Sequence, residues 1–399
     1  MPKRLWTTSA LLLVVALLFT ACAAPAAAPA ATSDTGAAEA TAASDATTEA
    51  AAASGAASGA ASTECATKDP VTLQLKWVAQ AQFAGYYAAQ GEGFYDDECI
   101  DITINPGGPD IVPEQVVAGG QADFGINFIP SLLSAREQGT NLVNIAQIFE
   151  RSAMREISWK DTGITGPADL KGKNVAVWFG GNEFELLATL AKYNIDKDKD
   201  VKLVQQPFDM NLLLERQVDA AAAMTYNELA QVLETPDKDG NLYTLDQLNI
   251  IDFNKEGTAM LQDGIFTTDK YLADAKNQDI AKRFLRASFK GWMFCRDNVD
   301  KCVDYVLEQG PALPRGHQTW MMNEINNLIW PSTAGIGQMD PALFDQTAGI
   351  AQQYGIIKNP PTEGAYVTDY AKAALEGIEG DTKGADYKPL EVKLTAGGQ

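Results

Sequence analysis

The sequence predicts an α/β protein of two similar lobes, each built on a mainly parallel sheet that is covered by helices. Strand-like and helix-like segments alternate from residue 71 onward, which is typical of parallel sheets with helical crossovers. The alternation begins again near residue 175. The two parts also share a short sequence similarity, which we call the echo: residues 120–123 are Gly-Gln-Ala-Asp and residues 216–219 are Arg-Gln-Val-Asp. Each of these segments leads into a strand that ends at or near an asparagine. These observations predict one architecture used twice.

Residues 1–21 are predicted to be a signal peptide of the lipoprotein type. A basic start at Lys3 and Arg4 precedes the apolar run of residues 11–19, and small residues stand before Cys22. The apolar run is shorter than the about 20 residues that a membrane span needs. Residues 18–22 resemble the bacterial lipoprotein signal, in which the cysteine, here Cys22, becomes the lipidated first residue of the mature protein.

Residues 22–66 are predicted to be a low-complexity tether. Almost all of them are Ala, Ser, Thr or Gly, so this tract cannot bury enough apolar surface to fold. A buried N-terminal helix is the alternative to a signal peptide, and the tether disfavours it. We therefore expect the protein to work on the extracytoplasmic side of the cell membrane, held there by lipid.

The first lobe is predicted to cover residues 67–160, with strands at residues 71–77, 100–104 and 123–127 and a helix at residues 113–118. The second lobe is expected over residues 161–262, with strands at 175–179, 201–205 and 220–224 and a helix at 182–193. The chain then returns to the first lobe over residues 263–399, through a strand at 265–268 and a mostly helical tail.

Two disulfides are expected from the positions of four of the five cysteines, since export places them where disulfides persist. Cys65 precedes the first strand and Cys99 precedes the second. Cys295 and Cys302 flank a predicted helix break near residue 297. The expected pairs are therefore Cys65–Cys99 and Cys295–Cys302.

Charge and composition exclude several classes of partner. The net charge of −21 argues against nucleic acid and against an anionic membrane surface, both of which require a basic face. His317 is the only histidine, and no cysteine and histidine cluster has the spacing of metal ligands. Neither a metal nor a cofactor is predicted.

A ligand site is predicted where the strands end, because open parallel sheets bind ligands beyond the carboxyl ends of their strands. Aromatic and uncharged amide side chains dominate these positions, and basic ones are few, which suits a flat heteroaromatic ligand with polar edges. The positions are Lys76, Trp77, Gln80, Phe83, Asn105, Gly107, Gly108, Asn127 and Phe128 in the first lobe and Trp178, Phe179, Gly180, Gly181, Asn182, Glu183, Thr225, Tyr226 and Asn227 in the second.

Several of these residues also have structural interpretations. Trp77 and Trp178 could be core or lobe-interface residues, although ligand pockets are themselves lined by aromatics. Glu183 could cap the following helix instead of touching a ligand. The pair Gly180-Gly181 before a helix could bind phosphate through free amides, but no lysine follows as in a P-loop.

The motifs together resemble the family of ABC solute-binding proteins for thiamine pyrimidine precursors. The resemblance covers about residues 70–355 and implies a type II periplasmic-binding fold, whose lobes close on a ligand and deliver it to an ABC permease and its ATPase. The matching segments are Leu75-Lys76-Trp77, residues 82–89, Gly93-Phe94-Tyr95, Pro106-Gly107-Gly108, residues 178–183 and residues 286–292.

Within this family, the lipid anchor, the tether and the segment Trp-Phe-Gly-Gly-Asn-Glu at residues 178–183 are most similar to the riboflavin-binding lipoprotein branch. Both riboflavin and an aminopyrimidine would stack on tryptophan and bond to amides. By position, the resemblance implies a first-lobe wall of Trp77, Tyr86 or Tyr87, and Asn127, facing Trp178, Asn182, Glu183 and Tyr226 of the second lobe.

Two classes of function follow. The first is a receptor that captures riboflavin, or alternatively a hydroxymethyl- or formylamino-pyrimidine, for a permease. The second is an exported enzyme of vitamin-precursor metabolism. Eukaryotic relatives in the family include a pyrimidine synthase that consumes its own histidine and needs a cysteine-rich motif. This chain has no such cysteine cluster and its histidine, His317, lies far from the corresponding region, so no catalytic residue is expected.

Overall fold

The computed structural model describes residues 65–399, so the predicted signal peptide, Cys22 and most of the tether lie outside the described residues. The described part contains ten strands: β1 (Asp69–Gln74), β2 (Ile100–Asn105), β3 (Phe124–Asn127), β4 (Leu142–Gln147), β5 (Met154–Trp159), β6 (Asn174–Val177), β7 (Lys202–Gln205), β8 (Ala220–Met224), β9 (Leu248–Asp252) and β10 (Gly264–Thr268).

The strands form two five-stranded sheets with corresponding orders. The first sheet has the order β2-β1-β3-β10-β4, and the second has the order β7-β6-β8-β5-β9. In each sheet two pairings are parallel, and an antiparallel strand, β10 or β5, adds two antiparallel pairings. The sheets are therefore mixed rather than mainly parallel, and we call the sheets with their helices lobe 1 and lobe 2.

One pair of aspartates has the same role in both lobes. Asp123 precedes β3, and its Oδ2 accepts a hydrogen bond of 2.8 Å from the amide of Thr72 in β1. Asp219 precedes β8, and its Oδ2 accepts one of 2.8 Å from the amide of Asn174 in β6. The echo in the sequence therefore corresponds to one structural position that is repeated in the two sheets.

The boundary expected at residue 160 is placed too late. β5 (Met154–Trp159) lies before that residue, yet it pairs with β8 and β9 of the second sheet. The chain crosses between the sheets over residues 148–153 and again over residues 257–263. No strand was predicted at residues 154–159, where Arg155 and Glu156 interrupt the apolar pattern, so the sequence did not indicate which sheet this segment joins.

Fourteen α-helices accompany the sheets in the described residues: α1 (Ala84–Gly91), α2 (Phe94–Asp97), α3 (Pro113–Ala118), α4 (Ile129–Glu137), α5 (Phe184–Lys192), α6 (Asn211–Leu214), α7 (Glu228–Leu233), α8 (Phe253–Glu256), α9 (Asp269–Leu272), α10 (Ala275–Asp297), α11 (Val299–Gln309), α12 (Arg315–Ile329), α13 (Pro341–Gln353) and α14 (Asp369–Leu375). None of them is both long enough and apolar enough to cross a membrane.

The core of lobe 1 is built on the long helix α10, which packs against α1. Trp292 of α10 meets Tyr86 of α1 edge to face, with ring centroids 5.5 Å apart. Phe284 of the same helix stacks on Phe124 of β3 at 4.3 Å. These contacts fix the helical tail on the first sheet and hold the strand ends of lobe 1 in place.

Both expected cysteine pairs are bonded. Cys65 is joined to Cys99, which ties the segment before β1 to the segment before β2. Cys295 is joined to Cys302 across the junction of α10 and α11, where α10 ends at Asp297.

Candidate ligand-binding site

The strand ends of the two lobes meet at a cavity of about 610 Å³. This volume lies in the range of about 300–1,000 Å³ that small-molecule sites occupy. A smaller cavity of about 40 Å³ shares part of the same lining. Residues from both lobes line each of them, so the site lies between the lobes.

Nine of the predicted residues were expected to contact the ligand through their side chains, and six of these line the cavities. The nine are Trp77, Phe83, Tyr86, Tyr87, Asn127, Trp178, Asn182, Glu183 and Tyr226. Five of the six line the large cavity: Trp77, Asn127, Trp178, Asn182 and Glu183. Tyr226 lines the small cavity, together with Trp77, Trp178 and Asn182. The rule that ligands bind at strand ends therefore brings these six side chains to one place.

The other three predicted residues, Phe83, Tyr86 and Tyr87, line neither cavity. Each is at most 4% exposed and belongs to the hydrophobic core. Tyr86 of α1 packs on Trp292 of α10, so its ring belongs to the contact between these helices. The structure thus places these three aromatics in the core of lobe 1.

Gly107 holds the segment after β1 in position. Its amide donates a hydrogen bond of 2.7 Å to the carbonyl oxygen of Trp77. A Cβ on Gly107 would stand 2.4 Å from the carbonyl oxygen of Leu75, so no other residue fits at this close approach. The Pro-Gly-Gly motif therefore positions Trp77 at the rim of the cavity.

A chain of polar contacts forms the lobe 1 wall of the large cavity. The Nζ of Lys76 donates to Oδ1 of Asn127 at 2.8 Å, and Nδ2 of Asn127 donates to Oε1 of Glu114 at 2.8 Å. Burial lowers the pKa of the Lys76 ammonium, and the carboxylates of Glu114 and Asp263 oppose that shift. Burial likewise raises the pKa of Glu114. Asn127 is therefore held by a cation on one side and a carboxylate on the other.

A second series of side-chain hydrogen bonds begins in the lining of the small cavity. Nε2 of Gln80 donates to Oε1 of Gln82 at 2.7 Å, and Nε2 of Gln82 donates to Oδ2 of Asp263 at 2.9 Å. Burial raises the pKa of Asp263 to about 7, although the hydrogen bond from Gln82 opposes this shift. Asp263 is the last residue of the second crossover. The series of hydrogen bonds therefore links the lining of the small cavity to a connection between the lobes.

Aromatic rings from the two lobes line the upper part of the site. The indole Nε1 of Trp178 donates to the carbonyl oxygen of Pro207 at 2.9 Å, which fixes the ring, and the residue is 6% exposed. Trp77 of lobe 1 meets Phe208 of lobe 2 edge to face, with centroids 4.9 Å apart. The two tryptophans can therefore present flat apolar surfaces to a ring-shaped ligand.

The turn that follows β6 is closed by its own glutamate. Oε2 of Glu183 accepts a hydrogen bond of 2.8 Å from the amide of Gly181. Gly180 and Gly181 have φ angles of +96° and +120°, which only glycine adopts readily. Glu183 thus combines a structural role in this turn with a place in the cavity lining.

The chemistry of the lining suits binding of an uncharged ligand. Of the described residues that line the large cavity, Lys76 alone is basic, whereas Asp110, Glu114 and Glu183 are acidic. No histidine or cysteine is among the described residues that line either cavity. The described residues also contain no cluster of three or more metal-ligating side chains.

Several lining residues were not predicted as site residues: Gln82, Glu114, Ser131, Phe208 and Glu228. Phe208 follows β7, so the rule applied to the other strand ends would have identified it. Glu228 begins α7 directly after Asn227. Ser131 and Glu114 lie within helices, and no strand-end signal marks them.

Two named relatives are similar to this chain over most of its length. The chain is 22% identical over 302 residues to a putative thiamine biosynthesis protein of Haemophilus influenzae, covering 73% of this chain and 88% of the relative. It is 24% identical over 306 residues to the riboflavin-binding protein RibY of Chloroflexus aurantiacus, covering 74% and 83%.

The fold is similar to that of the periplasmic aliphatic sulphonate binding protein SsuA of Escherichia coli. The TM-score is 0.58 at 14% sequence identity, and the match covers 75% of this chain and 96% of SsuA. The two lobes with a cleft between them are therefore a periplasmic-binding fold, as the resemblance in the sequence implied. Residues 80–301 match the family described as NMT1/THI5 like, and the chain belongs to this family.

Proposed function

We propose that this protein is the extracytoplasmic substrate-binding component of an ABC importer and that its ligand is riboflavin. The fold supports a binding role, because two lobes joined by two crossovers can close on a ligand in the cleft. A relative named as a riboflavin-binding protein covers most of the described chain. Ligand-driven closure would mark the loaded state for the permease and ATPase, provided that the ligand prefers the closed form.

The observation that carries the proposal is the pair of tryptophans at the cavity. Trp77 and Trp178 come from different lobes and line both cavities. A flavin ring placed between them could stack on both, and by analogy with bases each stack contributes about 1–3 kcal/mol. Two stacks with several hydrogen bonds can approach nanomolar affinity, which corresponds to about −12 kcal/mol.

Binding without turnover is part of the proposal. A catalytic site needs a nucleophile or an acid–base pair that is free to act. The described lining holds no histidine or cysteine, Lys76 is bonded to Asn127, and Glu183 is bonded to Gly181. The same arrangement can hold a ligand in place without reacting with it.

Attachment to the membrane through Cys22 completes the proposed arrangement. A lipidated cysteine followed by the tether of residues 22–66 would keep the lobes near the permease. The protein isolated from membranes should partition into detergent, and a chain that begins after Cys22, made without the signal peptide, should partition into the aqueous phase.

The proposal is tested by titrating riboflavin with protein from which any bound ligand has been removed by unfolding and refolding. We expect strong quenching of flavin fluorescence and a submicromolar dissociation constant. A second candidate ligand is a thiamine pyrimidine precursor, which the relative named for thiamine biosynthesis favours. Tight binding of formylaminopyrimidine in calorimetry, without any flavin quenching, would replace riboflavin but keep the transport role.

A further inference from the structure

The Gly180-Gly181 turn has the features of a phosphate-binding site, but the carboxylate of Glu183 occupies that site. Free backbone amides at a glycine turn before a helix are a common place for phosphate. The turn precedes α5, which has nine residues, and the Gly181 amide points to Oε2 of Glu183 at 2.8 Å. A carboxylate of the protein therefore takes the position that a ligand phosphate would need.

The charges around the turn also disfavour a phosphate. Asp110, Glu114 and Glu183 line the same cavity, and Lys76 is the one basic residue in the described lining. One of the N–H donors of the Lys76 ammonium is bonded to Asn127. A phosphorylated ligand would bring its negative charges next to carboxylates in a partly buried site, where repulsion is poorly screened.

Three residues of the lining each carry a buried side-chain oxygen that lacks a hydrogen-bond partner within the described residues. These oxygens are Oε2 of Glu114, Oγ of Ser131 and Oδ1 of Asn182. Glu114 is only 4% exposed, so leaving its oxygen unpaired is costly. The amide oxygen of Asn182 and the ionised carboxylate of Glu114 accept hydrogen bonds without donating them, so a ligand that carries donors would satisfy them.

We propose that this cleft selects an unphosphorylated ligand whose tail carries hydroxyl groups, with Glu183 excluding the phosphate ester. This inference rests on the proposed function and identifies which form of the flavin binds. The flavin ring would stack on the tryptophans, and the hydroxyls of a ribityl tail would donate to the unpaired oxygens. Flavin mononucleotide has the same ring and tail, but its terminal phosphate would approach the acidic part of the lining.

The test measures calorimetric dissociation constants for riboflavin, flavin mononucleotide and lumichrome, which has the ring without the tail. The wild-type protein should bind riboflavin at least about tenfold more tightly than either of the other two. Glu183→Ala frees the Gly181 amide and removes a charge, and Glu183→Gln removes the charge alone. Both should reduce the preference for riboflavin over flavin mononucleotide, and Glu183→Ala should reduce it more.

Glu308→Gln provides the matched control, because Glu308 is exposed on α11 and outside the described lining of the cavity. It removes one negative charge and should leave the preference unchanged. Glu114→Gln should reduce the advantage of riboflavin over lumichrome.

Equal affinity of the wild-type protein for riboflavin and flavin mononucleotide would overturn the role of Glu183, even if the variants failed to fold. Equal affinity for riboflavin and lumichrome would overturn the role of the hydroxyl tail. In both cases riboflavin still binds and the proposed function stands. Failure of every flavin to bind a folded protein would overturn the proposed function together with this inference.

Discussion

Gly181 of lobe 2 lies directly against Ser131 of lobe 1. A Cβ on Gly181 would stand 2.5 Å from the Oγ of Ser131, which is closer than side-chain atoms approach. Gly181 precedes α5 and Ser131 belongs to α4, so this contact crosses the cleft. A side chain at position 181 therefore requires either that the Ser131 hydroxyl rotates away or that the lobes move apart.

Gly181→Ala should weaken ligand binding by preventing full closure of the lobes. We expect the dissociation constant for riboflavin to rise by at least about tenfold, or ~1.4 kcal/mol. Gly180→Ala is the control, because its φ of +96° brings similar backbone strain but its Cβ would have no neighbour within 4 Å. Ser131→Ala in the Gly181→Ala protein should restore part of the lost affinity. Equal losses in the two single variants would show that strain in the turn, and not the contact across the cleft, causes the effect.

The contact between Trp77 and Phe208 should slow release of the ligand. Both residues line the large cavity and also a cavity of about 410 Å³ on a different side, so the pair forms a wall between the two. Aromatic pairs contribute about 0.5–1.5 kcal/mol beyond the area that they bury, so Phe208→Ala should raise the dissociation rate by about three- to tenfold. Stopped-flow displacement of riboflavin measures this rate.

Phe179→Ala is the control for this experiment. Phe179 lines the same cavity and is 47% exposed, against 51% for Phe208. Within the described residues it makes no ring contact of the kind that joins Trp77 to Phe208. A dissociation rate that rises equally in both variants would contradict a specific role for the aromatic pair.

Glu185 should make the protein more stable at mildly acidic pH. Its Oε2 accepts from the hydroxyl of Ser152 in the first crossover, and its Oε1 accepts from the amide of Met260 in the second. Burial raises the pKa of Glu185 to about 8. Between about pH 4 and pH 8 the folded protein therefore holds a proton that the unfolded chain has lost, so the free energy of unfolding falls as pH rises through this window.

The expected result is a higher melting temperature at pH 5.5 than at pH 8, with a smaller difference in Glu185→Gln. Asp263 and Glu228 contribute in the same direction, because burial raises the pKa of each to about 7. Glu308→Gln on the surface should keep the wild-type difference. An unchanged pH dependence in Glu185→Gln would mean that Glu185 is ionised in the folded protein across this range.

The site residues were predicted best where they directly follow a strand, because ligands of α/β sheets bind at the carboxyl ends of strands. α3 (Pro113–Ala118) and β8 (Ala220–Met224) begin and end where the pattern indicated. Trp178 and Tyr226 come directly after their strands, and strand ends of an α/β sheet meet at one edge. Phe83, Tyr86 and Tyr87 lie in or before a helix, where an aromatic on either face produces the same local pattern. Only the packing of α10 on α1 decides that they belong to the core.

The contacts across the cleft could not be predicted from the sequence. Ser131 and Gly181 are far apart in the chain, and their approach depends on the angle between two lobes. The pairing of Glu183 with Gly181 is local, but the choice between a helix cap, a ligand contact and a closed turn depends on the φ angles of the two glycines. Asp263 is another such case, since its burial follows from the position of the second crossover.

If a planar ring stacks on Trp178, the substitutions Trp178→Leu and Trp178→Phe should affect binding differently. Both substitutions remove the hydrogen bond from the indole to Pro207, but only leucine removes the aromatic face. Calorimetric titration with riboflavin should give a dissociation constant for Trp178→Leu at least about tenfold above that of Trp178→Phe. Equal dissociation constants for the two folded variants would contradict stacking at this position.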